Sequence, residues 1–297
     1  MPLAAPAPAL PRADLVLLAV AIAGVSLSAP LIAATAAPAL AIAFWRNAIA
    51  VGVLGPVALL KRVHRTELRT MGGRTALLAV AAGAMLALHF ALWLPSLRMT
   101  SVASSTALCT TTPIWTTLAL RLRGKQVARM VWAGCAVACV GVLILSGVDM
   151  SLSPRAVLGD ALALAGGIAA AGYVLLGAEV RRTVSTTSYS VLCYSTAAVL
   201  LLAGCLATGA QLVSYDAGTW AKLAALTCAA QLIGHTILNR VVRSLGPSVT
   251  STSILLETPG AALIAAVWLG QLPPVAAYPA LAVILVGLLL VIRGERQ

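Results

Sequence analysis

The sequence predicts an all-α polytopic membrane protein, with ten transmembrane helices arranged as two inverted five-helix repeats. Three observations carry that prediction. The 297-residue chain is 61% hydrophobic and only 9% charged, against roughly a quarter charged in soluble domains. Ten apolar stretches of spanning length follow one another along it, and unusual residues recur at one fixed offset. A soluble globule of this size could not hide so much apolar surface, so lipid is the expected solvent.

In order, the apolar stretches fall near 14–33, 38–60, 75–95, 101–120, 130–147, 158–178, 188–208, 218–239, 248–269 and 276–293. At about 1.5 Å rise per residue, each can cross the roughly 30 Å hydrocarbon layer as a helix. The first follows Pro11-Arg12-Ala13-Asp14. It is longer than a signal-peptide core and more spans follow it, so it reads as the first helix. The loops are short, and no soluble domain is expected.

The net charge of +12 would suit a nucleic-acid binder only if the basic residues formed a patch. They lie instead in the loops, which excludes nucleic acid as a partner and leaves an orientation signal. Alternate loops carry sixteen cations: Arg12; Lys61, Arg62, Arg65, Arg69 and Arg74; Arg121, Arg123, Lys125 and Arg129; Arg181 and Arg182; Arg240 and Arg243; Arg293 and Arg296. The other loops carry only Arg98, Arg155 and Lys222, while Arg46 lies inside the second stretch. Both termini are therefore expected in the cytoplasm, with the chain in the inner membrane. The six cysteines sit in apolar runs without a CxxC pair, so no disulfide, metal or cofactor framework is expected.

A gapless shift of 146 residues carries Asp14 onto Asp160, His89 onto His235, Ser105 onto Ser251, Pro113 onto Pro259, Gly124 onto Gly270 and Gly141 onto Gly287. Residues 1–147 and 148–297 thus read as two copies of five helices each. Five is odd, so the second copy enters the membrane from the opposite face. Inverted repeats of this kind mark secondary transporters, with the site near the midplane where the repeats meet.

The polar residues inside the apolar runs are the candidate site. Glu257 lies near the middle of the 22-residue run from Ser248 to Leu269, and an ionisable group at bilayer depth is costly enough to suggest a role. Its bland alternative is a protonated acid that only fixes helix packing. His235 and Asn239 are four apart and share a helix face, as do His89 and Trp93. Such histidines more often serve packing than relay protons. Ser104 with Thr111 and Ser105 with Thr112 form two hydroxyl stripes, and Ser251 with Thr258 copies one; these contact substrate or simply let helices approach closely. Pro113 and Pro259 are expected kinks. Arg46 either snorkels outward or reaches inward towards an anionic group. Under the shift of 146, Glu257 falls on Thr111, so the halves are chemically unequal and one carboxylate would carry any proton.

Five segments carry a family resemblance: His89-Phe90-Ala91-Leu92-Trp93, Thr100 to Ser105, Thr112-Pro113-Ile114-Trp115, Gly234 to Asn239, and Leu256-Glu257-Thr258-Pro259-Gly260. With them the chain resembles a ten-helix member of the drug/metabolite transporter superfamily, with two EamA-type halves. The resemblance implies a cavity lined mainly by the third, fourth, eighth and ninth helices, and alternating access by rocking of the halves. Two positions depart from the family pattern. Its Leu-Gly-Glu acid is replaced by Lys125 and Gln271, and its Glu-Pro pair becomes Glu257-Thr258-Pro259.

No GxxxxGK[ST] loop, HExxH or GxSxG is present, so neither ATP hydrolysis nor an enzyme built on those motifs is expected. An intramembrane enzyme would need Glu257 and His235 as an acid–base pair. The expected function is secondary transport, in the export direction, of small organic metabolites such as amino acids or drugs. Proton coupling, facilitative exchange and a passive channel remain alternatives. Expected partners are the bilayer and a small-molecule substrate, with a homodimer left open.

Overall fold

The computed structural model describes residues 12–124 and 126–295, so the expectations for Lys125 and Arg296 lie outside the described residues. All its regular structure is helical, 85% of the described chain, with no strand. A chain immersed in lipid must satisfy its backbone internally, and helices do so within one segment.

The elements are α1 (Arg12–Ser26), α2 (Ser28–Ala34), α3 (Ala39–Leu60), α4 (Arg62–Thr70), α5 (Gly73–Ser96), α6 (Val102–Cys109) and α7 (Thr112–Leu122). They continue with α8 (Arg129–Leu152), α9 (Pro154–Val180), α10 (Thr186–Thr208) and α11 (Ala217–Leu226). A π-helical stretch, Thr227–His235, joins α11 to α12 (Thr236–Ser253). A single 3-10 turn, Ile254–Leu256, leads into α13 (Glu257–Leu269), and α14 (Ala277–Glu295) ends the bundle.

Seven helical stretches among the described residues are long and apolar enough to cross a membrane: Arg12–Ala34, Ala39–Leu60, Gly73–Ser96, Pro154–Val180, Thr186–Thr208, Ala217–Pro247 and Val249–Leu269. The run expected at 101–120 is divided, because α6 stops at Cys109 and α7 starts at Thr112. The described apolar parts of α8 and α14, Arg129–Gly141 and Ala277–Val291, are shorter. The multi-pass membrane class thus follows from the helices themselves.

Local sequence explains most boundaries. The hydroxyls of Ser101 and Ser153 accept from the backbone N–H groups of Ser104 and Ala156, starting α6 and α9. Asp216 does the same for Thr219 at the head of α11, 2.9 Å away, and these caps satisfy donors that a helix start leaves free. Gly246 adopts φ 81°, open to glycine without a side-chain clash. With Pro247 behind it, it turns the chain between two spans. The polar stretch 61–74, expected as a loop, instead holds the short helix α4.

Small residues set the packing. A Cβ on Gly83 would meet Cys193 O at 2.5 Å, and one on Gly167 would meet Cys109 O at 2.6 Å. These glycines let α5 approach α10, and α9 approach α6, backbone to backbone. α5 also packs along α9, α3 along α10, α8 along α14, and α1 against the π stretch and α12. Phe90, Leu86, Leu94, Leu108, Tyr189 and Tyr194 fill the centre and are fully buried.

At one end of the bundle, Arg98 donates to the carbonyls of Thr35, at 3.0 Å, and Ala37. Lys222 Nζ donates to Ala34 O at 2.9 Å, and Arg155 reaches Arg98 O at 3.4 Å. All three cations that the charge count set apart therefore end on backbone carbonyls. Two of them cap the last turn of α2 and the loop after it, where carbonyls have no helical partner.

Candidate functional site

Inside the bundle lies a cavity of about 760 Å³, its mouth included. Its walls come from α1, α2, α5, α6, α7, α9, the π stretch, α12, the 3-10 turn and α13. His89 and Trp93 of α5 face it, as do His235, Asn239 and Glu257 from the second half of the chain. Five sequence-expected residues thus share one space. Its lining runs on to Gly177, Val242 and Thr250, towards the end of the bundle that holds the Arg-rich loops.

Glu257 is the first residue of α13, directly after the 3-10 turn. Its side chain makes no hydrogen bond or ion pair with another described residue, although the residue is 7% exposed. Arg46, fully buried on α3, lies close enough for its charge to act on Glu257, His89 and His235. Arg46 does not itself line the cavity. Its Nε donates to Gln231 Oε1 at 2.9 Å and one terminal nitrogen to Ser28 Oγ at 3.3 Å, while the guanidinium sits 4.2 Å from the centroid of the Phe90 ring. The other terminal nitrogen has no hydrogen-bond partner. Gln231 in turn donates to Asn47 at 3.1 Å.

His89 Nδ1 donates to Gly166 O at 3.0 Å, and its ring stacks on Trp93 at 5.4 Å and 15°. That carbonyl fixes which ring nitrogen carries the proton when the imidazole is neutral. Phe90 meets His235 edge-on at 5.6 Å. Trp93 Nε1 and His235 Nδ1 have no hydrogen-bond partner among the described residues. Tyr173 donates to Asn239 Oδ1, and Asn239 Nδ2 reaches Tyr194 at 3.3 Å and Ser190 at 3.4 Å. Asn239 is thus held by three hydroxyls on α9 and α10.

Thr112 of the hydroxyl stripes also lines the cavity, and the other expected residues lie outside its wall. The Thr111 hydroxyl donates to Leu108 O at 2.7 Å and accepts from Trp115 Nε1 at 3.1 Å. Ser105 pairs with Ser96 at 2.6 Å, and Ser251 lies 3.4 Å from Thr116. Pro113 and Pro259 sit in the first turns of α7 and α13, just after the two helix breaks. Thr110, at the first break, bonds Thr258 beside the second at 2.8 Å, so the two broken helices meet at the cavity wall.

Sequence reasoning passed over Gln231 and Ser28. A signal for Gln231 was present: Gln231, His235 and Asn239 recur every four residues, along one helix face. The π stretch was not written in any such period.

The described residues form a multi-pass helical bundle around a buried cavity lined by both polar and apolar side chains. Residues 13–147 match the EamA-like transporter family, which is part of the drug/metabolite transporter superfamily. No curated protein matches the chain. Twenty-eight solved chains do. One, titled only "Crystal structure of protein", is 18% identical, covers 96% of this chain and 99% of its own, and superposes with a TM-score of 0.67. At that identity the likeness is one of fold.

Proposed function

We propose that the chain is a secondary transporter that exports small organic metabolites, such as amino acids or drugs, across the cytoplasmic membrane by alternating access coupled to protons at Glu257. The observation that carries this reading is a buried carboxylate, without a hydrogen-bond or ion-pair partner among the described residues, facing a cavity to which both halves of the chain contribute. Such a group can take a proton or the cationic end of a substrate, but one at a time, which couples opposed flows. His235, Asn239, His89 and Trp93 form the rest of the binding surface, and Arg46 is its buried counter-charge. Thr111, Ser105 and Ser251 support the helices that carry it, with Pro113 and Pro259 at the hinges.

In this reading ten spans form two inverted copies, 1–147 and 148–297. The offset of 146 supports it, since it carries α3 (Ala39–Leu60) to 185–206, beside α10 (Thr186–Thr208). It also carries the break after Cys109 to the 3-10 turn that ends at Leu256.

The test uses purified protein in sealed vesicles with an imposed pH gradient and a panel of labelled amino acids and organic cations. Saturable, gradient-driven uptake with counterflow is the expected result. Flux that rises linearly with concentration and shows no counterflow would identify a channel, and no flux of any solute would remove the transport reading.

A further inference from the structure

Helix α4 has two chemically opposed faces, and the transport reading uses neither. Its inner face is tied to the second half of the chain. Glu67 Oε1 accepts from the backbone N–H of Ser185 at 2.6 Å, and its other oxygen accepts from the Ser185 hydroxyl. His64 Nδ1 lies 3.1 Å from the same hydroxyl and 3.9 Å from Glu67. Ser185 caps α10, so the carboxylate grips the start of that helix and fixes the rotation of α4 about its own axis.

That rotation decides where the arginines point. At 3.6 residues per turn, Arg62, Arg65 and Arg69 fall within an arc of about 60°, opposite Glu67 and His64. All three are exposed, as are Lys61 and Arg74 at either end. Glu67 is the helix's only carboxylate, and it is committed to Ser185. Nothing in α4 therefore offsets the outward stripe. The chain enters α4 through Leu59 and Leu60, which are 63% and 83% exposed, and Val63 within it is 67% exposed. In a membrane protein those side chains face lipid, which places α4 at the level of the headgroups. A cluster of four or more basic residues beside a spanning helix attracts anionic lipid.

We infer that the Arg62/Arg65/Arg69 face of α4 is a docking surface for anionic phospholipid headgroups, held in place from behind by the Glu67–Ser185 tie. The bidentate donor geometry of arginine suits the phosphodiester, and Lys61 and Arg74 widen the field around it. A zwitterionic lipid offers the same phosphate with its charge cancelled, and should bind poorly.

The experiment needs no transport assay. Detergent-solubilised full-length protein is titrated with short-chain phosphatidylglycerol or phosphatidylcholine, and thermal stability and bound lipid are both read. Wild-type protein should be stabilised by phosphatidylglycerol and not by phosphatidylcholine. The triple variant R62Q/R65Q/R69Q should bind phosphatidylglycerol on the order of a hundredfold more weakly, while R62K/R65K/R69K, which keeps the charge and loses the bidentate donors, should fall between the two. The control R121Q/R123Q/R129Q removes the same charge from exposed positions at the end of α7 and the start of α8 and should bind as wild type. Equal weakening in the control would reduce the effect to overall basicity and overturn the site. Displacement by millimolar inorganic phosphate would mark a simple anion pocket instead, and unchanged binding in the first variant would also overturn it.

Discussion

Glu257, unlike Arg46, Asn239 and His89, has no hydrogen bond or ion pair with another described residue. Arg46 has Gln231 and Ser28, Asn239 has three hydroxyls, and His89 has the Gly166 carbonyl. A buried carboxylate without donors is costly to keep charged, so its natural partner is one that comes and goes. Glu257→Gln keeps the shape of the protonated acid and removes both charge and titration. The variant should insert and fold as wild type, with gradient-driven flux lost and melting temperature unchanged. Wild-type flux from a folded variant would move the coupling site elsewhere. Glu257 was legible in the sequence because a lone acid in a 22-residue apolar run is conspicuous. The position of Arg46 was not. Whether a long side chain leaves or enters the bundle depends on neighbours such as Gln231 and Phe90, which are distant in the chain and supplied only by the fold.

Among the elements, α8 and α14 pair most closely, and glycine makes this possible. A Cβ on Gly287 would come within 2.7 Å of Gly134 O and 2.8 Å of Ala138 Cα, backbone atoms that cannot swing aside. Gly287→Val should therefore part the two helices at a cost of about 1–3 kcal/mol. A thermal-shift assay in detergent would register that loss, and an unchanged melting temperature would mean the pair separates without strain. The tie between α4 and α10 makes a different kind of prediction. Partial burial opposes the charge on Glu67, but the Ser185 and Ser188 hydroxyls, the Ser185 N–H and nearby His64 outweigh it and hold the carboxyl below its ordinary range. A lowered carboxyl contributes stability above its unfolded value and loses it as pH falls through the folded one. Protection factors of the α4 amides, corrected for intrinsic exchange, should be high at neutral pH and fall in acid. Glu67→Gln should exchange faster at neutral pH and lose the acid dependence; equal protection in both proteins at neutral pH would dismiss the tie. The sequence hid α4, since RVHRTELRT reads as a charged loop until Ser185 is brought to it.

At the scale of the whole molecule, the charge asymmetry makes the simplest forecast. A reporter fused after the last residue should be active in the cytoplasm and one inserted near Pro154 should be active outside; activity of both on one side would break the inverted-repeat reading. Most spans and the offset of 146 were readable from composition and spacing alone, because lipid imposes length and hydrophobicity on each crossing. Pro113 and Pro259 signalled a bend near each interruption, but the full breaks just before them, at Thr110 and at Ile254–Leu256, were not readable. One of these irregularities reaches further than its own neighbourhood. The π stretch Thr227–His235 bears His235, and the Thr236 hydroxyl donates to the Gln231 carbonyl at 3.0 Å. Its counterpart at the offset, 81–89, is ordinary α-helix within α5. A seesaw with two identical arms rests equally well on either side. In the alternating-access reading proposed above, one arm is wound differently from the other and alone carries the acid, so the two tilts would differ in energy and the empty carrier would have a preferred side on which to wait.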